Sequence, residues 1–444
     1  MKIAELSRPK SAEILERNKK YIPGGVVSTA RKADPEIVFA KAEGAYMWDV
    51  DGNRYIDYHA AFAPYVLGHN DAYVNQAVEK VIKDKVSLFG SGTNQLEGQL
   101  AELLCTHVPA IESVQLCNAG SEGTRGAIRL ARAATERDHV IVMQGGFNGS
   151  DNDVGCNVLT PLDQIGPRVS PGEYRYVALG PGAPVSHQQL IHIVNFNDLD
   201  SVRYVCDRYP VAALITEPIL QNIGILKPQP GYLAGLRELA DEKGFVLIFD
   251  EVKTGFRYSV GGYSQISGGK PDLVVFAKAI ANGYPMSALG GKLELMDRYA
   301  DPDPSKRPLL AGTYNGHPLS VAAAIATIER LLEDDGRVYK HLERLGQKAQ
   351  QGIESILQVH GITGTVARQG SALCLYFMDH EPVDWHDLAS NHDFEKDLDM
   401  RREIVERGAY FFPVATKQIS ISAAHTEEDI EFTLECLDRT LASQ

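Results

Sequence analysis

GFVLIFDEVKTGFR (244–257) and PDLVVFAKAIANG (271–283) decide the fold class of this chain. Each opens on a short apolar run rich in Val, Leu, Ile and Phe and ends abruptly in a charged group: Asp250 follows Phe249, and Lys278 follows Ala277. Runs of this length, bounded by turn signals, are the pattern of strands covered on both faces. Three more runs share it: Val114 to Cys117 (VQLC), His139 to Met143 (HVIVM) and Val211 to Thr216 (VAALIT). Together with Gly244 to Phe249 and Asp272 to Ala277 they alternate with amphipathic helices such as Gly126 to Thr135. That alternation, from about 71 to 310, predicts βαβ units and therefore an α/β fold around a mostly parallel central sheet flanked by helices.

Working outward, Trp48 to Tyr58 reads as a hairpin, because Asp51-Gly52-Asn53 supplies positive-φ turn residues between aromatic and β-branched runs. DPDPSKRPLL (301–310) is the late Pro-dense break, Pro318 to Leu332 reads as a long helix, and α+β material follows to Gln444. The expected organisation is an N-terminal segment (1–60) packing with a small domain, a large domain (61–310) and a C-terminal small domain (311–444).

The chain has 444 residues, 44% apolar and 23% charged, the usage of an ordinary folded protein rather than a disordered one. A net charge of −14 repels phosphate backbones and anionic lipid heads, so neither nucleic acid nor a membrane surface is an expected partner. MKIAELSRPKSAEILERNKKYIP carries charges throughout and shows no apolar signal core, and the weakly polar stretch Leu319 to Ile328 is far short of a bilayer span. A cytoplasmic location is the expectation. Six scattered cysteines lack C-x-x-C or C-x-x-H spacing, so they read as buried thiols, with no metal site. The chain contains no G-x-x-x-x-G-K-[ST], H-E-x-x-H or G-x-S-x-G, and Gly180-Pro181-Gly182 lacks the rest of a dinucleotide loop.

Chemistry is expected where the strands end, since ligands of open α/β sheets bind beyond the strand C-termini. After VQLC, Asn118-Ala119-Gly120-Ser121-Glu122-Gly123-Thr124 opens a helix, a natural anion cradle, although a plain Gly-rich turn with a Ser cap looks the same. After HVIVM comes Gln144-Gly145-Gly146-Phe147-Asn148-Gly149, in which Phe147 either stacks on a flat ring or simply joins the core. Glu217 follows VAALIT, Asp250 follows VLIF, and Lys278 is either chemically used or salt-bridged to a neighbouring acid. Pyridoxal phosphate asks for this whole set: an amine for an imine linkage, a carboxylate for its ring nitrogen, a phosphate cup and an aromatic plate.

FDEVKTGFR (249–257), FAKAIANGYPMSALGG (276–291), GTYNGHP (312–318) and NAGSEGTRGAIRLAR (118–132) resemble the blocks of the class III (subgroup II) aminotransferases of the fold-type I pyridoxal-phosphate superfamily. The resemblance runs from about Tyr21 to Leu441 and is strongest toward the glutamate-1-semialdehyde 2,1-aminomutases, through PGGVVSTARK (23–32), ITEPILQNIGILKPQPGYL (215–233), NFNDLDSV (195–202) and AAHTEEDIEFTLE (423–435). It implies a fold-type I transferase whose smaller α+β domain is built from both termini. It also implies pyridoxal 5'-phosphate as cofactor and a homodimer with active sites at the subunit interface. By the same likeness Asp250 would pair with the pyridine nitrogen, Val252 would pack on the ring, Lys278 would carry the imine, and Gly120 and Ser121 would hold the phosphate. Thr313 would reach the phosphate of the neighbouring subunit. Arg31 would take a substrate carboxylate, its alternative being a surface arginine, and Glu217 is the second candidate substrate contact.

The pattern also departs from the aminomutases. Phe147-Asn148-Gly149 replaces Tyr-His-Gly, Ala119-Gly120-Ser121 replaces Ser-Gly-Thr, and Phe62 stands where a tryptophan is expected. Removing polar handles from a pocket changes what it can turn over. The expected activity is therefore amino transfer between a carboxylate-bearing amine or amino acid and a keto or aldehyde acceptor, with intramolecular aminomutase chemistry or epimerisation as the alternatives.

Overall fold

The computed structural model describes residues 6–87 and 92–442. It divides into two compact units. The smaller holds residues up to Ala72, Lys340–Glu381 and from His392 onward; the larger holds Tyr73–Tyr339 and Pro382–Asn391. The smaller unit begins with β1 (Phe39–Glu43), β2 (Tyr46–Asp49) and β3 (Arg54–Asp57). The expected hairpin is the antiparallel β2–β3 pair, and Gly52 turns it at φ 97°.

The larger unit is built on β4 (Ser113–Cys117), β5 (His139–Met143), β6 (Ile191–Val194), β7 (Val211–Thr216), β8 (Val246–Glu251), β9 (Leu273–Ala277) and β10 (Ser287–Gly291). Their order across the sheet is β4-β10-β9-β8-β7-β5-β6. The pairs β5–β6, β5–β7, β7–β8 and β8–β9 are parallel, and β10 runs antiparallel between β4 and β9. Every residue of β7, β8 and β9 is buried, which is why these strands read as unbroken apolar runs rather than as alternation. Back in the smaller unit, β11 (Thr365–Gln369), β12 (Ala372–Tyr376) and β14 (Ile419–Ser420) form one sheet, while β13 (Ala409–Tyr410) adds parallel to β3. The smaller unit thus draws on both ends of the chain.

Besides the excursion at Pro382–Asn391, the chain passes between units at residues 72/73 and 339/340, where 60/61 and 310/311 were expected. The Pro-dense stretch 301–310 is an exposed loop that includes the turn Pro304–Lys306, whereas the later passage follows a break in the helix Pro318–His360. There Asp334, Asp335 and Gly336 all take positive φ. The six cysteines are free, and four are buried, but Cys206 is half-buried and Cys105 exposed. Cys105 lies one position beyond the inward stripe Leu100–Leu104 of the helix Gln95–His107. No helix among the described residues is long and apolar enough to cross a membrane.

The helix Gly120–Thr135 lies on the sheet and starts six residues earlier than its apolar periodicity predicts. Its Gly123 allows the close approach: a Cβ there would sit 2.6 Å from both Ser287 Oγ and Val275 Cγ1. Gly123→Ala must push the helix start off the sheet, at a cost of about 1–3 kcal/mol. Gly98→Ala, in a helix with open space around it, serves as the control and should lose nothing. Urea unfolding of the two variants checks this; equal stability would contradict the close-packing account.

Candidate active site

Strand register brings the charged groups together. Thr216 pairs with Phe249, and Phe249 with Val274, so Glu217 and Asp250 leave β7 and β8 at the same level. Asp250 itself pairs with Val275 of β9, and Lys278 follows at the end of that strand. Lys278 opens a 3₁₀ turn, Lys278–Ala281, at φ 52°, a left-handed conformation that non-glycine residues rarely adopt. Such outliers persist where the surroundings enforce them, and they cluster at functional sites.

Both acids are only 3% exposed. Asp250 Oδ2 accepts from Asn148 Nδ2 at 2.9 Å, and its Oδ1 from the Val252 N–H at 2.9 Å. Glu217 Oε1 accepts from the Phe147 N–H at 2.9 Å, and its Oε2 from the Gln221 N–H at 3.0 Å. Burial pushes the Glu217 carboxyl up to about 7, reinforced by repulsion from Asp250 and opposed by its two N–H donors and by Lys253. Burial also raises Asp250, against the hydrogen bonds from Asn148 and Val252 and the charge of Lys278. The Lys278 amine is held below the ordinary lysine value by desolvation, which outweighs the pull of Asp250 and Glu217. Among the described residues no acid forms a direct ion pair with it, so the salt-bridge alternative is not realised. A lysine amine held below its ordinary value and not clamped by a counter-ion is suited to act as nucleophile and base.

Gly120, Ser121, Val252, Phe147 and Thr313 lie in the same unit as this trio. Gly120 and Ser121 form the first turn of their helix; Ala119 at the N-cap provides no side-chain cap, which leaves the helix start open to an anion. Val252 packs against that start, since a Cβ on Gly120 would lie 2.9 Å from Val252 Cγ2. Phe147 is 39% exposed, which removes the buried-core alternative and leaves an accessible ring. Thr313 is exposed, in a loop tied to the end of β4 by the Asn118 Nδ2 to Asn315 Oδ1 bond of 2.8 Å. A carboxylate, an amine, a flat aromatic and an uncapped helix start fit a phosphate-bearing pyridine. Arg31 lies in the smaller unit, exposed, in the short turn Thr29–Arg31. Glu217, read from sequence as a substrate contact, has both oxygens engaged inside the protein, because the strand-end level that it shares with Asp250 faces the turn after β5.

Two residues escaped the sequence reading. Asn148 is buried and donates to Asp250; its only signal was an amide in a turn beside an acid-bearing strand. Glu251 is fully buried and accepts from the Tyr263 N–H at 2.8 Å, the Ser264 N–H at 2.7 Å and the hydroxyls of Thr254 and Ser264. It ties the segment after β8 in place, and Gly262 is needed there because a Cβ would fall 2.6 Å from Glu251 Oε2.

The raised Glu217 has a thermodynamic sign. A carboxyl whose folded pKa lies above its unfolded value contributes stability fully below the unfolded pKa and loses it as pH rises through about 7. In cofactor-free protein, the stability difference between the parent and Glu217→Gln should therefore shift in favour of the variant by up to about 3 kcal/mol between pH 4.5 and 8. Urea titrations across that range check it, and a pH-independent difference would contradict the assignment.

The class-III aminotransferase family profile matches residues 28–441. The glutamate-1-semialdehyde 2,1-aminomutase of Chloroherpeton thalassium is 38% identical over 435 residues, covering 96% of each chain. Among solved structures, an omega-transaminase from Sphaerobacter thermophilus superposes with a TM-score of 0.88 at 26% identity, covering 97% of each chain. A transaminase with PLP bound reaches a TM-score of 0.86, also at 26% identity, over 99% of this chain and 98% of that one. With a profile match over nearly its whole length and relatives of this similarity, the chain belongs to the class-III aminotransferases.

Proposed function

We propose that the cluster at the ends of β7, β8 and β9 is the catalytic centre of a pyridoxal-phosphate-dependent aminotransferase. The observation that carries this reading is the emergence of Asp250 and Lys278 from adjacent buried strands with no ion pair between them. When bound, pyridoxal phosphate supplies an aldehyde that condenses with amines and a protonated ring that takes up the electrons of a broken C–H bond.

The chain's own groups do the rest. Asp250 holds the proton on the ring nitrogen. Val252 and Phe147 flank the ring faces, and the Gly120–Ser121 helix start binds the phosphate. Lys278 Nζ would be the bonding amine and, when free, would take the proton from the substrate carbon and deliver it to the carbon on the other side of the transferred nitrogen. Arg31 receives a substrate carboxylate. Glu217 acts through Phe147, whose backbone it holds, rather than on the substrate. Thr313, exposed in the single chain, contacts the phosphate of a second subunit in a homodimer, for which sedimentation at twice the chain mass is the expected outcome and a monomer the contrary one.

The substrates are an amine or amino acid bearing a carboxylate and a keto or aldehyde acceptor. The 38% identical aminomutase supports a second reading, in which the amino group returns to its own skeleton. A panel of amino donors offered one at a time, without acceptor, separates the two. Transamination releases keto product up to one equivalent per site; an aminomutase yields an isomer of the donor and no keto product. Lys278→Ala should lose turnover by at least about 10²–10⁴-fold. Arg31→Ala should raise KM about tenfold or more for carboxylated donors alone. Retained turnover in the first variant, or unchanged kinetics in the second, would contradict the respective roles.

A further inference from the structure

The turn between β5 and residue 150 has its polar groups fastened one by one. Gln144 N–H donates to Val194 O at 2.8 Å, Gly145 N–H to Asn157 O at 2.8 Å, and Gly146 N–H back to Met143 O at 3.0 Å. The Phe147 N–H goes to Glu217 Oε1, the Asn148 amide to Asp250 Oδ2, and the Ser150 N–H to Ser121 Oγ at 3.2 Å. Six of the seven residues 144–150 are thus tied down, among their partners β6, the ends of β7 and β8, and the helix start beside Gly120. Nor can the turn slide. Gly145 and Gly149 hold φ of 88° and 120°, and Cβ atoms there would lie 2.8 Å from Ile223 Cδ1 and 2.9 Å from Ser121 Oγ.

Within this bracket Asn148 is buried, and among the described residues its Nδ2 is the one side-chain donor bonded to Asp250. A buried carboxylate needs donors to remain ionised, and an amide cannot give up its proton to it. The second donor, the Val252 N–H, is backbone and takes the other oxygen. Glu217 and Lys278 are the charged groups that face Asp250, one repelling its charge and one attracting it.

We propose that Asn148 is a positioning residue: it aims the Asp250 carboxylate and keeps it anionic, and through Asp250 it sets cofactor affinity without touching the cofactor. This rests on the reading of Asp250 as the partner of the pyridine nitrogen. The decisive variants are Asn148→Leu, which keeps the volume and removes the donor, and Asn148→His, which restores a donor. Affinity for pyridoxal phosphate, measured by quenching of protein fluorescence, should fall about 10- to 100-fold in the first and return to within about threefold of the parent in the second, the scale of a hydrogen bond to a charged group. In an Asp250→Asn background, adding Asn148→Leu should change nothing further.

Parent-like affinity in Asn148→Leu overturns the proposal. So does a loss that Asn148→His fails to repair, or one of equal size when Asp250 is already Asn, since either marks a packing role. A parent protein that does not bind pyridoxal phosphate would instead contradict the underlying functional reading. Binding by the parent, with no effect of Asn148→Leu, overturns this inference alone.

Discussion

Two carboxylates leave adjacent parallel strands at one level, both almost fully buried, and the rest of the site answers to that repulsion. Among the described residues neither forms an ion pair. Glu217 takes two backbone N–H donors, whereas Asp250 takes one backbone donor and one amide. Burial pushes both carboxyls upward. Glu217 rises to about 7, and Asp250 is raised as well, against its two donors and the charge of Lys278. In the proposed reading Asp250 holds a ring proton, while Glu217 on the neighbouring strand holds the turn at Phe147.

The amine is governed by the same constraint from the other side. Desolvation lowers Lys278, and its backbone turns left-handed where β9 ends. Rigid elements carry every one of these groups. Glu251 fixes the chain just after Asp250, Gly123 lets the helix Gly120–Thr135 sit close on β9 and β10, and the turn 144–150 links Asp250 to the start of that helix. Sites built on strands and their first turns hold geometry better than sites on free loops.

Much of this was legible in the sequence. Strands β4, β5, β7, β8 and β9 stand out as apolar runs, and Asp250 and Lys278 stand out because polar chemistry at such positions needs a use. Strand β10 did not, because SALGG has no β-branched residue; its glycines are there for space, a Cβ on Gly290 or Gly291 falling 2.7 Å from Ile111 or 2.3 Å from Asp272 O. Strand β6 is four residues long and interrupted by a histidine. The early start of the helix at Gly120 was hidden by Gly and Ser, which read as loop but serve there as first-turn residues. The internal use of Glu217 was hidden too, since sequence shows that an acid ends a strand and not which backbone N–H groups converge on it.

Family membership and this geometry agree on amino-group chemistry, and its pivot is the identity of the bonding amine. Reduction of the pyridoxal-phosphate-loaded protein with borohydride, followed by peptide mapping, reads that identity directly. The account predicts one stable pyridoxyl label per chain, on Lys278 within DLVVFAKAIANG. A label on Lys253 or another lysine, or no label at all, would contradict it.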